Sequence, residues 1–202
     1  PSATNYPVSS LTNVPAGGWT DEYKSIKLVL RRIPAGSFVM GSPAGELGHE
    51  ADEAQHEVVL SRDFFVGVFE VTQKQWERVM GDWPSLFSNP THRDTRPVEQ
   101  VSYQHVRGTA AGALWPDSGA ADSDSFMGRL RARTGLPFDL PTESEWEYAG
   151  RAGTTTSLHS GTNMVSEIMD SNLAQLGRYW WNGGADWDFD PDVDPSAGTA
   201  RV

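Results

Sequence analysis

Glycine and proline break up this chain so often that long helices cannot dominate it. The 202 residues contain 20 glycines and 13 prolines, together with 8 tryptophans. That combination suits a loop-rich domain in which broad aromatic side chains supply burial between irregular segments. A hydrophobic share of 38% is enough for one core. No stretch approaches the ~18 to 20 consecutive apolar residues that a membrane span requires. No repeat with a period of 20 to 50 residues is visible, which argues against a solenoid or a propeller.

Charge and cysteine content narrow the chemistry. Lys and Arg number 16 against 27 Asp and Glu, a net charge of −11, so the positive charge that nucleic acid or an anionic bilayer demands is missing. There is no cysteine. The chain therefore cannot carry a disulfide, a cysteine nucleophile or a thiolate metal site. It starts at Pro1, and residues 1–19 form a polar, proline-punctuated lead with neither a basic nor an apolar signal region; a signal peptide, if there was one, is expected to have been removed. Acidity and the lack of cysteine fit a secreted or periplasmic bacterial protein, with a cytosolic location left open.

Residues 28–33 (LVLRRI) and 37–41 (SFVMG) are β-rich and flank Pro34-Ala35-Gly36, a pattern that predicts a hairpin. The acidic run 46–57 (ELGHEADEAQHE) reads as a solvated loop, with strand character returning at 58–60 and 64–71. Thr72 with Gln75, and Thr142 with Glu145, match the capping box, so helices are expected to start there, the first ending at Gly81. A third helix is expected from Ser102 through Val106, Ala110 and Leu114 up to Pro116. A fourth should span 125–134, with Phe126, Met127 and Leu130 as its apolar face and Gly135 as its terminator. Beyond Arg151 the chain turns Thr/Ser/Gly-rich and then crowds five aspartates between 186 and 194. This order of elements predicts an α+β fold, irregular and loop-rich.

Most candidate chemistry has a simpler reading. The histidines at 49, 56, 92, 105 and 159 lack the spacing that sets two imidazoles on one helical face; hydrogen-bonded or exposed histidines account for them. No Gly-x-Ser-x-Gly elbow, dinucleotide fingerprint or P-loop is present. Glu143, Glu145 and Glu147 suit the positive end of a helix better than acid–base catalysis. The ladder from Asp186 to Asp194 has the charge density of a calcium loop, but Pro191 stands where an EF-hand needs glycine and no glutamate closes the loop. A different oxygen site and a solvated acidic loop both remain open there.

Read together, four stretches resemble the formylglycine-generating enzyme, or sulfatase-modifying factor, superfamily. They are RIPAGSFVMGS (32–42), QHEVVLSRDFFVGVFEVTQKQWERVMG (55–81), PSLF with RPVEQVSY (84–87 and 96–103), and FDLPTESEWEYAGRAGT (138–154). The resemblance implies that superfamily's variant of the C-type lectin-like fold over residues 25–202, preceded by an N-terminal extension, 1–24. It also implies that the chain lacks the C-terminal third of the domain. Members like the founding enzyme oxidise a sulfatase cysteine to formylglycine with oxygen and a copper ion held by two cysteines near the C-terminal end, since soft copper favours thiolates. None of these is in the chain, and the position after Tyr-Ala that is often cysteine in close relatives is Gly150. No catalytic residue carries over; copper would require a further C-terminal segment to supply both cysteines.

One family site does carry over. The resemblance implies a calcium ion held by the Asn172 side chain, the Leu173 carbonyl, the Asp194 side chain and the Ser196 carbonyl, all hard oxygens. Two functions are thereby expected as alternatives: a formylglycine-generating oxidase acting on a protein or peptide substrate once complete, or a non-catalytic lectin-like binding or assembly subunit. A companion C-terminal segment or second chain is expected to complete the core, because apolar residues of 64–71 and Trp146 would otherwise lack cover.

Overall fold

The computed structural model describes residues 5–109, 114–179 and 181–182. Four short strands form two antiparallel ribbons. β1 (Leu30–Ile33) pairs with β4 (Phe64–Gly67), setting Ile33 opposite Phe64, and β2 (Gly36–Met40) pairs with β3 (His56–Leu60), setting Gly36 opposite Leu60. The expected hairpin between 28–33 and 37–41 is not formed. β1 and β2 instead follow one another along the same side, and residues 34–35 face residues 61–63 at a bulged corner. Pro34 has no N–H for the ladder, so pairing stops there. Asp63 holds the corner: it accepts from the Ala35 N–H at 2.8 Å and pairs with Arg32. The Ala35 bond, followed by Arg32, keeps the Asp63 carboxyl below its ordinary pKa.

The true hairpin connection is the acidic segment itself, which is knit together rather than merely solvated. Ser42 Oγ lies 2.5 Å from Glu53 Oε2 and 2.6 Å from His49 Nδ1, and the Ser42 N–H donates to the Glu53 carbonyl. β3 also begins at His56, inside the run read as loop.

The core lies between α2 (Gln73–Met80) and α4 (Phe126–Thr134). Trp76, Val79, Phe126, Met127 and Leu130 form its buried cluster, with the rings of Trp76 and Phe126 stacked at 4.9 Å. Both helices start and stop as the sequence predicts. Thr72 and Gln75 make the reciprocal capping-box bonds, Ser125 caps α4, and Gly81 and Gly135 close the two helices in the left-handed conformation. The cap of α2 also ties down the chain before it, where α1 (Asp21–Ser25) gave no clear signal in the sequence. Thr72 Oγ1 donates to the Lys24 carbonyl at 2.6 Å and Gln75 Nε2 to the Lys27 carbonyl at 2.7 Å. Further upstream, Tyr6 packs on the core and its hydroxyl meets Arg133 and the Arg78 carbonyl.

The third helix is shorter than expected. α3 (Tyr103–Arg107) stops at Gly108, whose φ of 97° no helix can continue, and residues 110–113 lie outside the described part. α5 (Glu143–Arg151) has the expected Thr142–Glu145 capping box and lies against β2 and β3. Glu147 accepts from the Gly41 N–H and from Arg151, and Arg151 donates to the Gly41 carbonyl. Trp146, on the same helix, is 67% exposed, and Phe65 on β4 is 63% exposed. Two-stranded ribbons are stable only when packed against something else. One side of this pair is covered by α5; Val39, Val59 and Phe65 stand exposed on the strands.

Candidate functional site

Two buried polar clusters organise the half of the molecule after α3. In the first, Arg107 is wholly buried, with Nε 2.7 Å from Asp139 Oδ1 and Nη2 donating to the carbonyls of Ser118 (2.9 Å) and Ala120 (2.7 Å). Arg131 reaches the other oxygen of Asp139 at 2.6 Å. A buried guanidinium of this kind is stable only when its donors meet acceptors and its charge meets a counter-charge. Here it fixes the irregular segment 114–122 against α4.

The second cluster includes two of the four residues that the calcium expectation rests on, Asn172 and Leu173. Asp170 is 1% exposed, and its carboxylate accepts from four backbone N–H groups: Val165 and Ser166 on one oxygen, Asn172 and Leu173 on the other. These donors, Leu173 first, hold its carboxyl below the ordinary carboxylate range against the opposing effect of burial. The Tyr179 hydroxyl clamps the Asp170 backbone, accepting from its N–H at 2.8 Å and meeting its carbonyl at 3.1 Å. Asn172 and Leu173 thus open a 3-10 turn (Leu173–Gln175).

The Asn172 Nδ2 donates to the Asn163 carbonyl at 2.8 Å, which fixes the amide orientation and assigns the other end as the acceptor oxygen. The Leu173 carbonyl already accepts from the N–H groups of Leu176 (2.9 Å) and Gly177 (3.2 Å), so a cation there would have to displace the longer bond. Asp194 and Ser196, and with them the aspartate ladder 186–194, lie outside the described residues. Among the described residues no three His, Asp or Glu side chains are grouped as a metal site. His49 and His56 do not converge: His49 meets Ser42, and His56 Nδ1 meets the Ala54 carbonyl. Glu145 serves its helix cap. Copper on thiolates does not fit this chain, which has no thiol.

Neither Asp170 nor the Arg107–Asp139–Arg131 cluster is singled out by the sequence. Each acts mostly on backbone groups, which leave no residue-type pattern to read.

Residues 27–199 match the family described as Sulfatase-modifying factor enzyme 1-like domain. The chain belongs to this family. Its α+β, loop-rich fold is the sulfatase-modifying factor fold that the sequence led us to expect. A curated relative is the chaperone protein LppX of Paenibacillus barcinonensis, 32% identical over 156 residues, which are 65% of this chain and 51% of LppX. Among solved structures the chain is similar to PvdO from Pseudomonas aeruginosa, 26% identical over 61% of this chain and 47% of that one, with a TM-score of 0.39. The chain thus spans about half the length of these relatives. No helix among the described residues is long and apolar enough to cross a membrane.

Proposed function

We propose that this sulfatase-modifying factor domain holds unfolded polypeptide and does not itself oxidise a thiol. The observation that carries this reading is the exposure of Trp146, which stands 67% exposed on α5 of a folded domain. Tryptophan is among the side chains most enriched at the energetic centres of docking sites. Support comes from the relative LppX, which is described as a chaperone. An exported location belongs to the same reading and rests on the acidic, cysteine-free composition. The test is fluorescence anisotropy of a labelled, permanently unfolded polypeptide, such as reduced and carboxymethylated α-lactalbumin, titrated with the protein. Saturable binding supports the reading, and no binding at any accessible concentration contradicts it.

The family match favours a second reading, in which the chain is the scaffold of a formylglycine-generating oxidase. Its apolar residues would then be covered by further polypeptide, which would also have to bring the two cysteines. Mass spectrometry of a cysteinyl peptide incubated with the protein, copper and oxygen separates the two. Conversion of the thiol to an aldehyde would favour the oxidase.

Calcium binding is part of either reading. The Asn172 and Asp194 side chains and the Leu173 and Ser196 carbonyls would supply four hard oxygens, a donor set that suits calcium. Titration calorimetry with calcium chloride on chelator-treated protein tests it directly.

A further inference from the structure

We propose that Ser42, His49 and Glu53 form a pH-sensitive clasp on the acidic segment joining β2 to β3, tighter when the imidazole is charged than when it is neutral. That segment walls a concavity of about 570 Å³ lined by residues 44–50 and Glu167, so the clasp governs how firmly the wall is held.

A hydroxyl has one proton, and Ser42 Oγ is within hydrogen-bond reach of two groups, Glu53 Oε2 at 2.5 Å and His49 Nδ1 at 2.6 Å. An ionised carboxylate can only accept, so the Ser42 proton goes to Glu53 and the Ser42 oxygen accepts from the ring. This assigns the proton of neutral His49 to Nδ1 and leaves Nε2 as the atom that is protonated on acidification. No bond of the clasp has to break for that to happen. The added charge makes the Nδ1 bond a charge-assisted one and stands 3.9 Å from Glu53 Oε2. Glu46, Glu50 and Glu167 line the same concavity as His49 and favour the charged ring. From α5 the clasp is faced by Arg151, which acts on Glu53 and is itself engaged by Glu147 and the Gly41 carbonyl. The Ser42 hydroxyl first, then the Glu50 N–H, hold the Glu53 carboxyl below the usual glutamate value. The clasp is therefore tightest below the imidazole titration and above that of Glu53. It loosens as His49 loses its charge on the alkaline side, and again as the pH falls through the lowered value of Glu53.

The Ser42 amide reports the clasp directly, because its N–H donates to the Glu53 carbonyl at 3.0 Å and is released when the clasp opens. The experiment is amide hydrogen exchange by NMR on the full chain at about pH 5 and about pH 8, which bracket the histidine range. Rates are divided by those of an unstructured peptide at the same pH, and Val79 in the buried core serves as the reference for global opening. The His49 and Glu53 side chains are 21% and 45% exposed, and a pair so placed shifts an equilibrium by about 1.4- to 5-fold. Protection of Ser42 relative to Val79 should be higher by that factor at the lower pH. His49→Gln and Glu53→Gln each keep a hydrogen-bonding side chain while removing one charge, and each should abolish the difference. Nitrogen-15 shifts of the imidazole should show the neutral ring protonated at Nδ1. Equal relative protection at the two pH values, a difference that persists in His49→Gln, or a neutral ring protonated at Nε2 overturns the proposal. Should His49→Gln fail to fold, a difference that persists in Glu53→Gln overturns it.

Discussion

Replacing Arg107 by methionine removes a wholly buried guanidinium while keeping much of its apolar stem. The Ser118 and Ala120 carbonyls lose their donor, and each buried acceptor left unpaired costs about 1–3 kcal/mol. Asp139 is not stranded, because Arg131 still pairs with it at 2.6 Å. Together these place the loss at about 3–5 kcal/mol, the range for breaking a buried pair. Asp139→Asn should cost at least as much, since it leaves Arg107 buried without its counter-charge and beside Arg131. For a chain of this length about 1 kcal/mol corresponds to roughly 2–4 °C, so both variants should melt about 6–20 °C lower. Urea unfolding and thermal melts followed by near- and far-ultraviolet circular dichroism read the effect. Limited proteolysis should show new cleavage in 114–122 in Arg107→Met. Losses below about 1 kcal/mol in both variants would refute the reasoning, because the cluster would then be neither dry nor holding the segment.

Two further outcomes follow from local geometry. A Cβ at Gly128 would collide with the Asp122 carbonyl, which is backbone and cannot swing aside, so Gly128→Ala should destabilise α4 despite alanine's better helix propensity, and a thermal melt shows which effect wins. The Asp63 carboxyl has a folded pKa below its unfolded value of about 3.9, so its stabilising contribution is complete above that pH and disappears as the pH falls through the folded value. Asp63→Asn should therefore flatten the acid limb of the stability profile, with little added loss at low pH relative to the wild type.

What could be read in advance was local. Thr72 and Thr142 each signal a helix start through a side chain bonding three residues on, and Gly81 and Gly135 signal stops; all four act where expected. Strand pairing could not be read the same way. The partners of β1 and β2 are set by Asp63 reaching across 28 residues to the Ala35 N–H, and a Pro-Ala-Gly linker looks the same whether the chain turns back or bends onward. Gly108 ended α3 because it takes a positive φ, while the alanines beyond it suggested continuation. Trp146, expected to lack cover in this chain, is exposed. At the candidate site Asn172 and Leu173 were found through family resemblance, and Asp170, which holds them, was not. Its partners are four N–H groups, identical for every residue type.

The claim that the domain holds polypeptide at the exposed Trp146 is tested most directly by comparing the wild type with Trp146→Ala in anisotropy titrations against the carboxymethylated α-lactalbumin probe. Trp146 is largely exposed, so the variant should fold and melt like the wild type. Loss of a central tryptophan anchor is worth about 2 kcal/mol or more, and the account predicts binding weakened by at least about tenfold. Equal affinity in the two proteins, or no binding in either, would contradict it.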